Sequence, residues 1–159
     1  MITTNDSANP GWIADERSSR LNEIIVGVDE SATARNVALQ AGALAASCGK
    51  PLHIVMAVPS PSSVEVRSAG SEHWHIDSIN AADQTLRALA GEIRSATPIT
   101  HAVIVDTPAQ ALCSEAVRLD ASMIAVGNKQ VQAEAGVLGS IAGDVAKQAP
   151  CNVLIVPTT

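Results

Sequence analysis

Short apolar runs alternate with longer segments of helical periodicity along most of the chain. The runs occupy residues 24–28, 51–58, 99–105, 122–126 and 152–156 and are apolar almost throughout. Continuous apolar strands are buried on both faces, which is typical of a parallel sheet covered by helices. Right-handed connections then predict an α/β fold, a doubly wound five-stranded parallel sheet of order 3-2-1-4-5 with helices on both faces.

Four segments between these runs carry apolar residues at spacings of three and four. That spacing predicts helices, which we place at about 31–48, 77–96, 108–119 and 140–149. Gly49 is suited to end the first helix, and Pro108 is suited to open the third.

Two segments show no sustained periodicity. Residues 59–76 are rich in Pro, Ser and Gly and are predicted to form a long connection. Residues 1–22 are polar and are predicted to be a flexible N-terminal extension. A single domain is therefore expected over 23–159.

Composition excludes several classes of function. Ten Lys and Arg against sixteen Asp and Glu give a net charge of −6, and Phe and Tyr are absent. We therefore expect neither a nucleic-acid partner, which requires clustered positive charge, nor a stacking platform of aromatic rings. No run approaches the ~18 apolar residues of a membrane span.

Cysteine usage bears on the cellular compartment. Cys48, Cys113 and Cys151 are odd in number, widely spaced and form no CxxC pair. The first twenty residues lack the basic-then-apolar order of a secretion signal. We therefore expect a cytoplasmic protein with reduced thiols.

The predicted topology places a ligand site at the carboxyl edge of the sheet, where the strand order reverses. Asp29 follows the first strand and Gly127 the fourth, Lys129 lies in the next loop, and Gly139-Ser140 begins the last helix. Glycine permits close approach of a ligand, and a helix amino end favours an anion. These residues therefore predict a site for an anionic ligand.

The same residues also fit a purely structural role. Gly127 could simply end a strand, and Ser140 could be an ordinary N-cap. Asp29 could accept a hydrogen bond from a ligand or cap the helix that begins near Ser31.

Common catalytic motifs are missing. The sequence contains no GxxxxGK[ST], GxGxxG, GxSxG or HExxH segment. His73 and His75 could ligate a metal, but a surface segment is the commoner explanation for such a pair. We therefore expect no metal site and no efficient enzyme activity.

From about residue 22 to 159 the sequence resembles the universal stress protein family. The resemblance is carried by four segments in the family's order: 24–31 (IIVGVDES), 106–109 (DTPA), 120–127 (DASMIAVG) and 139–156, which begins with Gly-Ser. It implies a five-stranded parallel fold, a homodimer formed through the C-terminal strand at 152–157, and a stress-response function. It also implies binding of ATP or another adenine nucleotide, with or without Mg²⁺.

The resemblance further implies where the nucleotide lies. Adenine would lie near Asp29 and the backbone of Ala57, ribose near Gly127, and phosphates near the start of the last helix. The full set of nucleotide-binding residues is Val28, Asp29, Ala57, Val126, Gly127, Lys129, Gly139, Ser140 and Ile141.

The family's nucleotide motif has Gly, two residues, Gly, nine residues, Gly, and then Ser or Thr. This chain has Gln130 at the second glycine and only the eight residues 131–138 before Gly139. Both departures favour an alternative, a nucleotide-independent dimeric stress or interaction protein of the same fold. A second alternative is a flavoprotein-like or nucleotidyl-transferring enzyme, which would require a catalytic acid or base in the cleft.

Overall fold

A computed structural model describes residues 22–60, 71–128 and 138–158, without the side chains of 71–75. The predicted alternation of strands and helices is present. The elements are β1 (Ile24–Val28), α1 (Ala32–Cys48), β2 (Leu52–Val58), α2 (Ser71–Glu92), β3 (Ile99–Val105), α3 (Pro108–Leu119), β4 (Met123–Asn128), α4 (Ser140–Gln148) and β5 (Asn152–Pro157). The extension predicted at 1–22 lies outside the described residues except for Asn22, so it stays a prediction.

The strands form one parallel sheet of order β3-β2-β1-β4-β5, as predicted. Strand β1 is central, and Ile24 pairs with Leu52 of β2 on one side and with Met123 of β4 on the other. The chain therefore leaves β1 and β4 in opposite directions, which opens a crevice at their carboxyl ends.

Helices cover both faces of the sheet. On one face, α1 and α2 bury residues such as Val37 and Leu86 against Val26. On the other, α3 and α4 bury residues such as Leu112 and Val145 against Ile25 and its neighbours. Because Ile25 and Val26 are adjacent and both fully buried, the strand has no polar side, and its continuous apolar sequence follows from this.

The ends of α1 are fixed by residues with suitable chemistry. Ser31 is the N-cap, and its hydroxyl accepts a hydrogen bond from the Ala34 amide. Gly49 ends the helix with φ of 65°, a left-handed conformation that glycine adopts without steric cost. Ser31, rather than Asp29, therefore caps this helix.

The prediction for α2 was wrong at both ends. The helix begins at Ser71 instead of 77, so the connection predicted at 59–76 is shorter. The prolines and glycine of that segment lie at 59, 61 and 70, and residues 71–76 contain no helix breaker. The helix ends at Glu92 instead of 96, and the segment that follows contains a local turn in which the Ser95 hydroxyl accepts from the Thr97 amide.

Strand β4 also differs from the prediction. It continues through Gly127 to Asn128, where the prediction ended it before Gly127. The cause is β5, which extends to Pro157 and keeps Gly127 paired with Val156 and Asn128 paired with Pro157.

In the described part of the chain, no helix is both long and apolar enough to cross a bilayer.

Candidate functional site

A cavity of about 260 Å³ opens at the carboxyl edge of the sheet, beside the ends of β1, β2 and β4 and the start of α4. Eight of the nine residues predicted for the site line it. They are Val28, Asp29, Ala57, Val126, Gly127, Gly139, Ser140 and Ile141. The ninth, Lys129, lies outside the described residues, as do Gln130 and residues 131–137.

Asp29 stands at the rim of this cavity, in the turn between β1 and α1. Its Oδ1 atom accepts hydrogen bonds from the Ser31 amide, at 2.9 Å, and from the Ser31 hydroxyl. The carboxylate is exposed and held in a defined position. A carboxylate fixed in this way can accept a hydrogen bond from an N–H or O–H group of a ligand and repels a phosphate.

The amino end of α4 forms the opposite boundary. Gly139, and not Ser140, is the N-cap, with φ −60° and ψ 158° and no side-chain cap. Its amide donates to the Asn128 side chain across 2.8 Å. Ser140 and Ile141 are the first two helical residues, so their amides have no acceptor within the helix. Amides at such a position, with the positive end of the helix dipole, favour an anion.

Close packing at Gly127 disfavours a side chain there. A Cβ atom there would lie 3.0 Å from Cγ2 of Thr158 and 3.1 Å from Cγ2 of Val37. In the described residues, only Gly49 among the glycines has a positive φ. Gly127 therefore has a packing role between two protein side chains, and the approach of a ligand to its backbone stays a prediction.

Sequence reasoning missed Asn128 and Thr158. Thr158 follows β5, is only 7% exposed, lines the cavity and donates its hydroxyl hydrogen to the Asn128 carbonyl at 2.5 Å. Asn128 adjoins Gly127 in sequence, which could have drawn attention to it. No sequence signal marked Thr158, since its position depends on the register of β5.

The wall between the two polar boundaries is apolar. It includes Val37, Val55 and Leu112. Asp29 is the one ionisable side chain among the described residues that line the cavity. An apolar wall with an acceptor at the rim and amide donors at a helix end suits an elongated molecule that has a flat apolar part and an anionic part.

Metal-ligating and nucleophilic groups do not gather in this region. Within the described ranges, no three His, Cys, Asp or Glu residues are placed to hold a metal ion. The side chains of the His73 and His75 pair lie outside the description. Burial raises the pKa of the Cys113 and Cys151 thiols, which makes them poor nucleophiles.

A buried polar cluster lies at the amino ends of the strands, away from the cavity. His53 Nε2 is 3.2 Å from a carboxylate oxygen of Glu115, and His53 Nδ1 is 2.6 Å from the hydroxyl of Thr100. Burial lowers the pKa of His53 below 6.5, against the opposing effects of Glu115 and Glu23. Hydrogen bonding to Arg118 lowers the pKa of Glu115. A neutral His53 that donates to Glu115 and accepts from Thr100 pairs both of its ring nitrogens, whereas the buried Oε2 atom of Glu23 has no hydrogen-bond partner among the described residues.

Comparison with known proteins places this fold and cavity in context. The family model described as "Universal stress protein family" matches residues 21–157. Among curated proteins, none matches the chain with significance.

Solved structures resemble the chain over most of its length. A universal stress protein in complex with cAMP is 28% identical, with 87% of this chain and 98% of that chain covered and a TM-score of 0.59. A universal stress protein from Archaeoglobus fulgidus is 25% identical, with coverage of 84% and 97% and a TM-score of 0.66. The universal stress protein UspA from Lactobacillus plantarum, at 21% identity, 86% and 98% coverage and a TM-score of 0.65, supports the fold. The chain therefore belongs to the universal stress protein family.

Proposed function

We propose that this protein binds an adenine nucleotide, ATP or a related molecule, in the cavity at the carboxyl edge of the sheet. It acts there as a non-catalytic stress-response module. The observation that carries the proposal is that eight residues chosen from the sequence line one cavity that also contains the amino end of α4. The structure solved with cAMP, at 28% identity, supports an adenine nucleotide as the ligand class.

Each part of a nucleotide has a suitable surface in this cavity. Adenine packs against the apolar wall near Val28 and Ala57, and its amino group donates to Asp29. Ribose lies beside Gly127, which lines the cavity. Phosphate accepts from the amides of Ser140 and Ile141. If the bound nucleotide is a triphosphate, Mg²⁺ binds with it and balances part of its negative charge.

The same chemistry supports binding without efficient catalysis. Among the described lining residues, Asp29 is the one ionisable group, and it already accepts two hydrogen bonds from Ser31. General base catalysis needs a group within reach of the attacking water. We therefore propose that ATP hydrolysis is at most slow.

We also propose a homodimer that forms through β5. This strand is the last in the sheet order, so one of its edges has no neighbouring strand among the described residues. Val153, Leu154 and Ile155 are only partly buried there. An apolar sheet edge is an aggregation hazard, and a second copy related by a two-fold axis would cover it.

We further propose that the protein is cytoplasmic, where its three thiols would stay reduced.

Isothermal titration calorimetry with ATP, AMP and cAMP, each with and without Mg²⁺, tests the binding function. We expect saturable binding of at least one of these, weakened by Asp29→Asn. Asp77→Asn, an exposed carboxylate on α2, is the matched control and should bind as wild type does. If none of the three produces heat at millimolar concentration, the nucleotide-independent interaction protein becomes the better account.

A further inference from the structure

We infer that Thr158 and Asn128 are positioning residues that hold the amino end of α4 in the geometry that binds the nucleotide's phosphate. The inference rests on the proposed function and assigns these two residues a part in it. Neither residue belongs to the glycine motif from which the site was predicted.

Two hydrogen bonds connect three separate elements in series. The Thr158 hydroxyl, just after β5, donates to the backbone carbonyl of Asn128 at the end of β4. The side chain of the same Asn128 accepts from the amide of Gly139, the N-cap of α4. The path Thr158–Asn128–Gly139 therefore ties the first residue of the phosphate-binding end to the edge of the sheet.

Packing fixes the origin of this path. Thr158 is one of three polar or charged residues buried in the described parts of the chain. Its methyl group lies where a Cβ atom on Gly127 would make a 3.0 Å contact, so it fills the space that the glycine leaves. The hydroxyl cannot move far without opening a gap beside β4, and the Asn128 carbonyl is held accordingly.

The Gly139 amide donates its hydrogen bond to Asn128 and is therefore not available to a phosphate. The amides left for a phosphate are those of Ser140 and Ile141, whose direction depends on where Gly139 is anchored. Of the nine residues of α4, Ala142 and Val145 are the two that are buried, and both lie beyond its first two residues. Among the described residues, the Asn128 side chain is therefore an anchor at the cavity end of this helix, together with the buried Ala142.

Adenosine and AMP separate positioning from general structural support, because they differ only in the phosphate. In wild type we expect AMP to bind more tightly than adenosine. Thr158→Val keeps the size and shape of the side chain and removes the hydroxyl. We expect it to weaken AMP binding about threefold to tenfold, the usual contribution of one hydrogen bond, and to change adenosine binding less than twofold. Thr158→Ser keeps the hydroxyl and loses the methyl group that holds it, so it should lose less AMP affinity than Thr158→Val does.

Asn128→Ala gives a second route to the same conclusion. It removes the acceptor for Gly139 and should also weaken AMP selectively. If Asn128 merely competes with phosphate for the Gly139 amide, this variant would bind AMP more tightly than wild type, and the inference would be overturned.

Amide hydrogen exchange of the ligand-free protein tests the path without any nucleotide. In wild type the Gly139 amide should exchange more slowly than that of Ser140, and both Thr158→Val and Asn128→Ala should accelerate its exchange. An unprotected Gly139 amide in wild type overturns the inference even if neither variant folds. Protection together with absent binding of adenosine and of ATP, AMP and cAMP refutes the proposed function and, with it, the role in phosphate binding. Equal losses for AMP and adenosine in both variants show general support only and overturn the inference while leaving the proposed function standing.

Discussion

The substitution Ser140→Pro removes one backbone donor from the proposed phosphate site while leaving the fold intact. Ser140 is the first residue of α4, where a proline is well tolerated because the amide has no acceptor within the helix. Proline also requires extended backbone in the residue before it, and Gly139 already has φ −60° and ψ 158°. We therefore expect the free energy of unfolding to stay within about 1 kcal/mol of wild type.

The expected loss of binding follows from the donor that is removed. A hydrogen bond to a charged group contributes about 1.5–3 kcal/mol, so AMP affinity should fall about tenfold to a hundredfold. Ser140→Ala, which loses the hydroxyl and keeps the amide, is the matched control and should lose less. Calorimetry with AMP and adenosine measures both variants. The reasoning is refuted if Ser140→Pro binds AMP as well as Ser140→Ala does, or if adenosine binding falls as much as AMP binding.

Three further predictions concern stability and assembly. Gly127→Ala places a Cβ atom 3.0–3.1 Å from two methyl groups, so urea unfolding should show a loss of about 1–3 kcal/mol, and an unchanged midpoint would contradict the packing. His53 has a lowered pKa in the folded protein, so its contribution to folding stability is fully present above pH 6.5 and is lost as the pH falls from there towards the folded-state pKa. The urea midpoint of the wild type should therefore drop over this pH range, and that of His53→Gln should drop less. Equal drops would argue against the buried cluster around His53. Leu154→Lys on β5 should convert a dimer to the 16.3 kDa monomer in light scattering, whereas a dimer that persists would place the interface elsewhere.

The centre of the sheet could be predicted from the sequence because β1, β2 and β4 are largely buried on both faces, whereas β3 and β5 at its edges are only partly buried. Such strands must be apolar almost throughout, and β1 and β4 show this pattern whichever elements pack beside them. The ends of α2 could not be predicted as well, because the prediction treated 59–76 as one segment, whereas its prolines and glycine all precede residue 71. The end of β4 depended on pairing with β5, which is a tertiary effect.

The candidate site likewise contains residues that the sequence predicts and residues that it does not. Gly127, Gly139 and Ser140 carry local signals, because a glycine or a helix start constrains its own backbone. Asn128 and Thr158 act through hydrogen bonds that span 11 and 30 residues, and no local pattern requires them. Long-range contacts of this kind appear only once the register of β4 and β5 is known.

Titration of ¹⁵N-labelled protein with AMP, followed by NMR, tests the central claim most directly. If phosphate binds the amino end of α4, the amide resonances of Ser140 and Ile141 should shift strongly on saturation, and adenosine should leave them nearly unchanged. Shifts near Asp29 and Ala57 should occur with both ligands. The account is contradicted if AMP saturates the protein while the Ser140 and Ile141 amides stay unperturbed.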